Sequence, residues 1–327
     1  MAKANRATKR RLHPYLLWGL VGVLISVLLG AAFLWPGRWG AGKTVQFEHL
    51  HGLGYSPDGQ RLLLAAHDGL RVYANGEWIR PDTPGHDFMG FAPVNDGFYA
   101  SGHPAPGSNL PDPLGLVKST DEGATLKTLG LGGEADFHVM AAGYQSRVLY
   151  AINTVPNSRM ASPGLYFTAD EGKTWVKSAM NSLPNEAITA HNAWVALAVH
   201  PTNSAVVAVG ADSGLYLSTD RGHRFQPVLP QMPVTALAFT QKGTLLVAGY
   251  KNGPFLYEMD LADKQSRKLR IPLADDDTIV YLAPNPVREG ELAVATYHRD
   301  VYLTRDQGLN WIQIADQGEE TRAPSSS

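Results

Sequence analysis

The sequence predicts an all-β chain folded as a six-bladed β-propeller, with seven blades as the alternative count. Three observations predict it. An eight-residue segment recurs four times, as STDEGATL (119–126), TADEGKTW (168–175), STDRGHRF (218–225) and TRDQGLNW (304–311). Its aspartates, Asp121, Asp170, Asp220 and Asp306, lie 49, 50 and 86 residues apart, so the last interval holds two repeats. A period of roughly 40–50 residues is that of one four-stranded blade. Between the copies, short apolar runs alternate with turns, and the 33 glycines and 22 prolines of the 327-residue chain supply those turns.

Each copy has one frame: a hydroxyl residue, Asp two later, Gly two after that, and a large apolar residue three further on. That frame suits a hairpin turn between the third and fourth strands of a blade. The Asp can accept hydrogen bonds from turn N–H groups, and the Gly supplies positive φ. The closing Leu126, Trp175, Phe225 or Trp311 then packs between neighbouring sheets. Two weaker repeats fill the gaps. Val234–Leu269 keeps the strand rhythm (TALAF, TLLVAGY, PFLYEMD) but has only Met259 and Asp260 where the turn should be. Phe47–Arg80 (GLGYSPDGQ, RLLLAAHDG, GLRVYANGEW) has a shortened turn at Asn75 to Trp78. The propeller is therefore expected over 47–314. The repeated segment resembles the Asp-box, or BNR repeat, of sialidases, sortilins and related propellers, which implies that the four aspartates are structural.

The ends read differently. Residues 15–35 are 21 positions without a charge, enough for a helix to span a bilayer. Residues 1–14 before them are basic, with Lys3, Arg6, Lys9, Arg10 and Arg11, which favours a cytoplasmic N-terminus. The expectation is a single-pass membrane anchor with the propeller outside the cytoplasm. A cleaved signal peptide, and so a secreted protein, is the alternative, though its apolar core is usually shorter. Residues 36–46 read as a linker and 315–327 as a disordered polar tail. The chain has no cysteine, which excludes disulfides and a thiol nucleophile, and a net charge of −2 offers no field suited to nucleic acid.

Where a ligand would sit follows from blade geometry. The first strand of each blade lines the central channel. The loops entering it share one rim with the turns between second and third strands, and the four Asp turns occupy the opposite rim. Aligning the first strands on Tyr55, Phe91, Ala142, Val199, Phe239 and Leu282, and stepping back four residues on the same face, gives His51, Asp87, His138, Val195, Thr235 and Thr278. Blades 1–3 thus offer His, Asp and His where blades 4–6 offer Val, Thr and Thr. His67 and His298 take matching places in later loops, and His103 opens a long Pro/Gly-rich insertion, 101–113, paired with a second one at 153–160. The expected ligand-binding set is His51, Asp87, His138, His67, His103 and Arg159, the last as a clamp for an anionic group. Imidazole plus carboxylate suits Zn²⁺ or Cu²⁺, so His51, Asp87 and His138 form the expected metal set. Met140 and Met160 lie near enough in sequence to raise copper.

The segments GLGYSPDG, AAHDGLRVY, DFMGF, SGHP, DFHVMAAGY, PNSRM and HPTN, spread over 47–314, resemble a bacterial family of membrane-associated Asp-box proteins labelled as glycosyl hydrolases. The resemblance implies a glycosidase as an alternative function; such an enzyme needs two facing carboxylates, and Asp87 with Asp136 or Glu48 is the candidate set near the rim, Asp87 and Asp136 being the expected catalytic pair. A sialidase is not expected: Arg270, Ile271 and Pro272 occur, but after the third Asp turn, and no arginine trio occupies the aligned positions. A third reading is a sortilin-like or assembly-factor-like scaffold that docks a protein on a rim. The partner at the rim is accordingly a small ligand, a glycan or a protein.

Overall fold

A computed structural model describes residues 45–187, 195–263 and 265–321. Six antiparallel sheets follow one another along the chain. Blade 1 comprises Leu50–Tyr55, Leu62–Ala66, Gly69–Ala74 and Glu77–Ile79; blade 2, Asp87–Val94, Gly97–His103, Leu116–Ser119 and Lys127–Gly130; blade 3, Met140–Ala142, Leu149–Asn153, Gly164–Thr168 and Val176–Lys177. Blade 4 comprises Ala196–Val199, Val207–Ala211, Gly214–Ser218 and Gln226–Pro230; blade 5, Val234–Phe239, Leu245–Tyr250, Pro254–Met259 and Ser266–Lys268; blade 6, Ile279–Pro284, Leu292–Thr296, Val301–Thr304, Ile312–Asp316 and Glu319–Glu320. We letter the strands of a blade A to D in that order. Each strand A touches the strand A of the next blade, and that of blade 6 touches that of blade 1, so the ring closes. The expected six-bladed propeller is the observed fold.

The core is divided into six apolar clusters, each between two neighbouring blades. Strands carry apolar residues on both faces for that reason: Leu62–Ala66 and Leu292–Thr296, for example, are buried throughout. Phe225 is buried between blades 3 and 4, and Trp175 packs on Phe137 with ring centroids 5.7 Å apart. Trp311 and Leu126 close the corresponding seams between blades 5 and 6 and blades 1 and 2.

The four repeated turns share one bonding pattern. The hydroxyl of Ser119, Thr168, Ser218 or Thr304 bonds the Asp two residues on at 2.7–2.8 Å and accepts the Gly N–H at 2.8–3.0 Å. Each Asp accepts the N–H four residues later at 2.9 Å. The glycines have φ of 75–86°, and the residues before them (Glu122, Glu171, Arg221 and Gln307) have φ of 56–60°. Two successive left-handed residues, rather than the glycine alone, reverse the chain.

The ring is closed by its two chain ends. Gln46 bridges Glu319, Phe47 N–H donates to Gly318 O at 3.0 Å, and Glu320 N–H donates to Val45 O at 3.3 Å. Trp78 of blade 1 donates its indole N–H to Ile314 O at 2.7 Å. The propeller thus extends beyond 47–314. Residues 315–321, expected as the start of a disordered tail, instead form the last strands of blade 6, because the chain end must pair with the start to seal the ring. The segment 15–35 expected to cross a membrane and the basic residues before it lie outside the described residues, as do 322–327. Among the described residues no helix is long and apolar enough to cross a membrane.

Candidate functional site

The two rims are chemically distinct. On one, the A–B and C–D turns meet: Arg61 pairs with Glu122 at 2.6 Å, and Lys118 joins Asp96 at 2.8 Å to Glu171 at 2.9 Å. On the other, the loops entering strand A meet the B–C turns, and there histidines and carboxylates of blades 1–3 gather at the mouth of the channel.

Asp87 is central. It opens strand A of blade 2, with its side chain 11% exposed, and lies between two imidazoles of blade 1. His51 Nε2 is 3.5 Å from Oδ1, and His67 Nδ1 is 2.7 Å from Oδ2. The His51 contact is close enough for charge attraction but lacks hydrogen-bond geometry. His51 Nε2 and Asp87 Oδ1 are therefore buried polar atoms with no hydrogen-bond partner among the described residues. One donor atom from each of His51, His67 and Asp87 lies within 4.8 Å of the others. Burial lowers the pKa of His51 against the opposing pull of Asp87, which keeps its nitrogen free to act as a ligand. His51 is presented by a bulge in its strand, between Leu50 and Gly52, which re-aims the side chain toward the mouth.

A second cluster stands beside it on blades 2 and 3. His138 Nε2 and Asp136 Oδ2 are hydrogen-bonded at 2.8 Å, His103 Nε2 is 3.4 Å from the same oxygen, and His103 Nδ1 bonds Asp112 at 2.6 Å. Those carboxylate bonds raise the pKa of both histidines: Asp112 chiefly for His103, Asp136 chiefly for His138. Asp136 Oδ1 is also buried without a hydrogen-bond partner among the described residues.

Strand pairing revises the expected alignment. Counting across the sheet from the turn hydroxyl, Ser119 pairs with Phe98 and Phe98 with Pro93; Thr168 leads to Ala142, Ser218 to Val199, and Thr304 to Pro284. Blades 2 and 6 are thus framed on Pro93 and Pro284 rather than Phe91 and Leu282. Pro57 and Pro201 lie in turns whereas Pro93 lies within a strand, so the prolines were not equivalent anchors. Asp87 consequently sits one two-residue step nearer the rim than His51 and His138, level with Asp136 and Thr278. Met89 and Val280 take the places level with His138. Tyr297, whose N–H bonds Thr278 O as His67 N–H bonds His49 O, matches His67; His298 does not.

The expected residues divide accordingly. His51 and Asp87 come together, with His67 as their third member. His138 lies against Asp136, in the neighbouring cluster with His103. The structure does not bring Arg159 to either cluster: its guanidinium donates to the Gly172 carbonyl and packs beside Gly130. Met160 is fully buried in the seam between blades 2 and 3, away from any ligand role, and Met140 lines the channel. His49, whose ring centroid is 6.1 Å from that of His67, and Asp112 went unnoticed. The alternation His49, Leu50, His51 was the available signal for the first.

The fold and this mouth define the chain as a six-bladed β-propeller with a His/Asp cluster on one rim. No protein-family model matches it, and no curated protein matches it by sequence. Among solved structures it is similar to the GH74 enzyme of Niastella koreensis, with a TM-score of 0.56 and 16% identity over 83% of this chain and 46% of that one. It is also similar to an ancestral GH74 enzyme (TM-score 0.51, 13% identity, 84% of this chain and 39% of that one). The β-propeller domain of Myceliophteria thermophila Cps50 (Swd1) matches with a TM-score of 0.50 and 12% identity over 84% of this chain and 89% of that one. The chain spans less than half the length of either GH74 enzyme. At these identities the likeness is one of fold.

Proposed function

We propose that this chain is a membrane-anchored, extracytoplasmic propeller that binds one divalent metal ion, of the Zn²⁺ or Cu²⁺ class, at its channel mouth. The ligands in this reading are His51, His67 and Asp87, with His67 in the place first given to His138. The observation that carries it is a pair of buried atoms, His51 Nε2 and Asp87 Oδ1, that face one another with no hydrogen-bond partner among the described residues. Leaving such groups unpaired costs about 1–3 kcal/mol each, and a cation between them removes that cost. Two imidazole nitrogens and a carboxylate oxygen suit a borderline metal, and three protein ligands leave a coordination position open for a bound molecule. The Asp-box reading makes the turns of the opposite rim scaffold. The charge-free segment 15–35 behind five basic residues supports the anchor.

The glycosidase reading is less well supported. Asp87 and Asp136 are each contacted by two imidazoles, whereas a catalytic acid needs to hold its own proton against the leaving oxygen. The test is calorimetric titration of the purified, metal-stripped chain with Zn²⁺. The proposal expects one equivalent bound, with affinity reduced at least tenfold in His51→Ala and in His67→Ala; no saturable heat would refute it.

A further inference from the structure

The channel below the mouth indicates what the open coordination position takes. It encloses about 600 Å³, within the range of small-molecule sites, and both His51 and His138 border it. At the turn rim Tyr144 and Gln241 border it, and hydrogen bonds run between the A–B turns there. Tyr144 Oη donates to Pro57 O at 3.4 Å, Asn95 Nδ2 to Gln145 at 3.1 Å, and Gln145 Nε2 to Gln241 at 3.4 Å. The last of these joins blade 3 to blade 5 past blade 4. Of the proposed metal ligands, His51 borders this channel directly.

Its walls are less apolar than a core. Small, partly exposed residues such as Ala141, Ala142 and Ala238 border the lumen, while Gly52 and Gly54 make room for Phe91 and Pro93 of blade 2. Strand A is the end strand of every sheet, so its second edge of N–H and C=O groups is unpaired by any other strand and faces the axis. An occupant with a plain hydrocarbon body would bury those groups without partners, which is costly. Two hydroxyls of the protein already act on strand A carbonyls: Thr235 Oγ1 donates to Ile279 O at 2.6 Å, and Tyr281 Oη to Leu50 O at 2.9 Å. Both bonds link neighbouring blades and show a hydroxyl donor satisfying a strand A carbonyl.

We infer that the site binds a small polyhydroxylated carboxylate, a sugar acid, whose carboxylate completes the metal's coordination while its hydroxyls bond the free strand edges of the channel. This rests on the metal reading above. An anionic head suits a dication held by a single carboxylate, and a six-carbon chain fits the volume.

The test uses the full-length chain loaded with Zn²⁺ and freed of excess metal, titrated with gluconate, glucose and octanoate. Glucose lacks the carboxylate and octanoate lacks the hydroxyls. Gluconate is expected to bind at least tenfold more tightly than either, and to lose binding on metal removal. Ala238→Phe and Ala141→Phe, which narrow the lumen, are each expected to keep zinc and weaken gluconate at least tenfold. Circular dichroism identifies whichever variant is folded. Zinc binding with octanoate equal to or tighter than gluconate, or with gluconate unaffected by the folded lumen variant, overturns this inference alone. Absence of zinc binding overturns the metal reading with it.

Discussion

Aspartates on the two rims of this propeller meet opposite fates. On the turn rim, Asp121, Asp170, Asp220 and Asp306 all have Oδ1 engaged by a turn N–H and a hydroxyl, and Asp121, Asp170 and Asp306 have Oδ2 engaged by a hydroxyl or amide side chain four residues on. On the mouth rim, Asp87 meets His51 and His67 of blade 1, Asp136 meets His138 two residues on and His103 of blade 2, and each retains a buried oxygen with no hydrogen-bond partner among the described residues. Asp96 Oδ1 shares that state on the turn rim, but its other oxygen takes both Lys118 and Arg147. Local satisfaction marks a residue that builds the fold. A buried oxygen left without a partner beside imidazoles marks one held ready for something else.

The largest expected effect breaks that contrast directly. His51→Ala should lower zinc affinity by roughly two orders of magnitude, whereas Asp220→Ala should leave it unchanged while lowering Tm. Equal losses in both variants would mean that the metal responds to general stability. Next, Gly172→Ala places a Cβ 2.8 Å from Leu116 Cδ2 at a φ of 79°. It should destabilise the fold by about 2 kcal/mol in chemical denaturation with zinc affinity intact.

The rims should also part in their pH dependence. Hydrogen bonds from Thr174 hold Asp170 down to about 2, and those from Asn310 do the same for Asp306. Their support for the fold is complete above the unfolded value of 3.8 and lost as pH falls through about 2. His103 and His138 are raised, so their support is complete below 6.5 and lost as pH climbs through their higher folded values. His51, lowered by burial, has the opposite sign and weakens the fold as pH falls below 6.5. Zinc affinity should fall between pH 7 and 5 as imidazoles protonate. Denaturation midpoints from about pH 2 to pH 9 check the first and zinc titrations between pH 7 and 5 the second; an affinity flat between pH 7 and 5 would exclude histidine ligands. The smallest effect is in Asp136→Asn. Replacing a carboxylate that has an unpaired buried oxygen should change stability by less than about 1 kcal/mol, and a larger loss in thermal unfolding would make Asp136 structural.

Much of the fold was legible because the turns act on residues close in sequence. A hydroxyl, an Asp and a Gly within five positions specify a hairpin, and repetition converts the hairpin into a ring. The clasp between Gln46 and Glu319 was not legible, since it joins segments 273 residues apart and neither has a motif. The site was half legible. The difference between blades 1–3 and 4–6 located the mouth, but the assumption that prolines mark equivalent turns shifted blade 2 by two residues. His67 could be ranked above His138 only once the bulge at His51 and the pairing of Asp87 with His103 were visible, because a bulge leaves no mark in composition.

The most direct measurement is zinc K-edge X-ray absorption of the metal-loaded chain. The account predicts two imidazole nitrogens at about 2.0–2.1 Å with a carboxylate oxygen, one imidazole disappearing in His67→Ala. A shell of oxygen ligands alone, unchanged by that substitution, would contradict it.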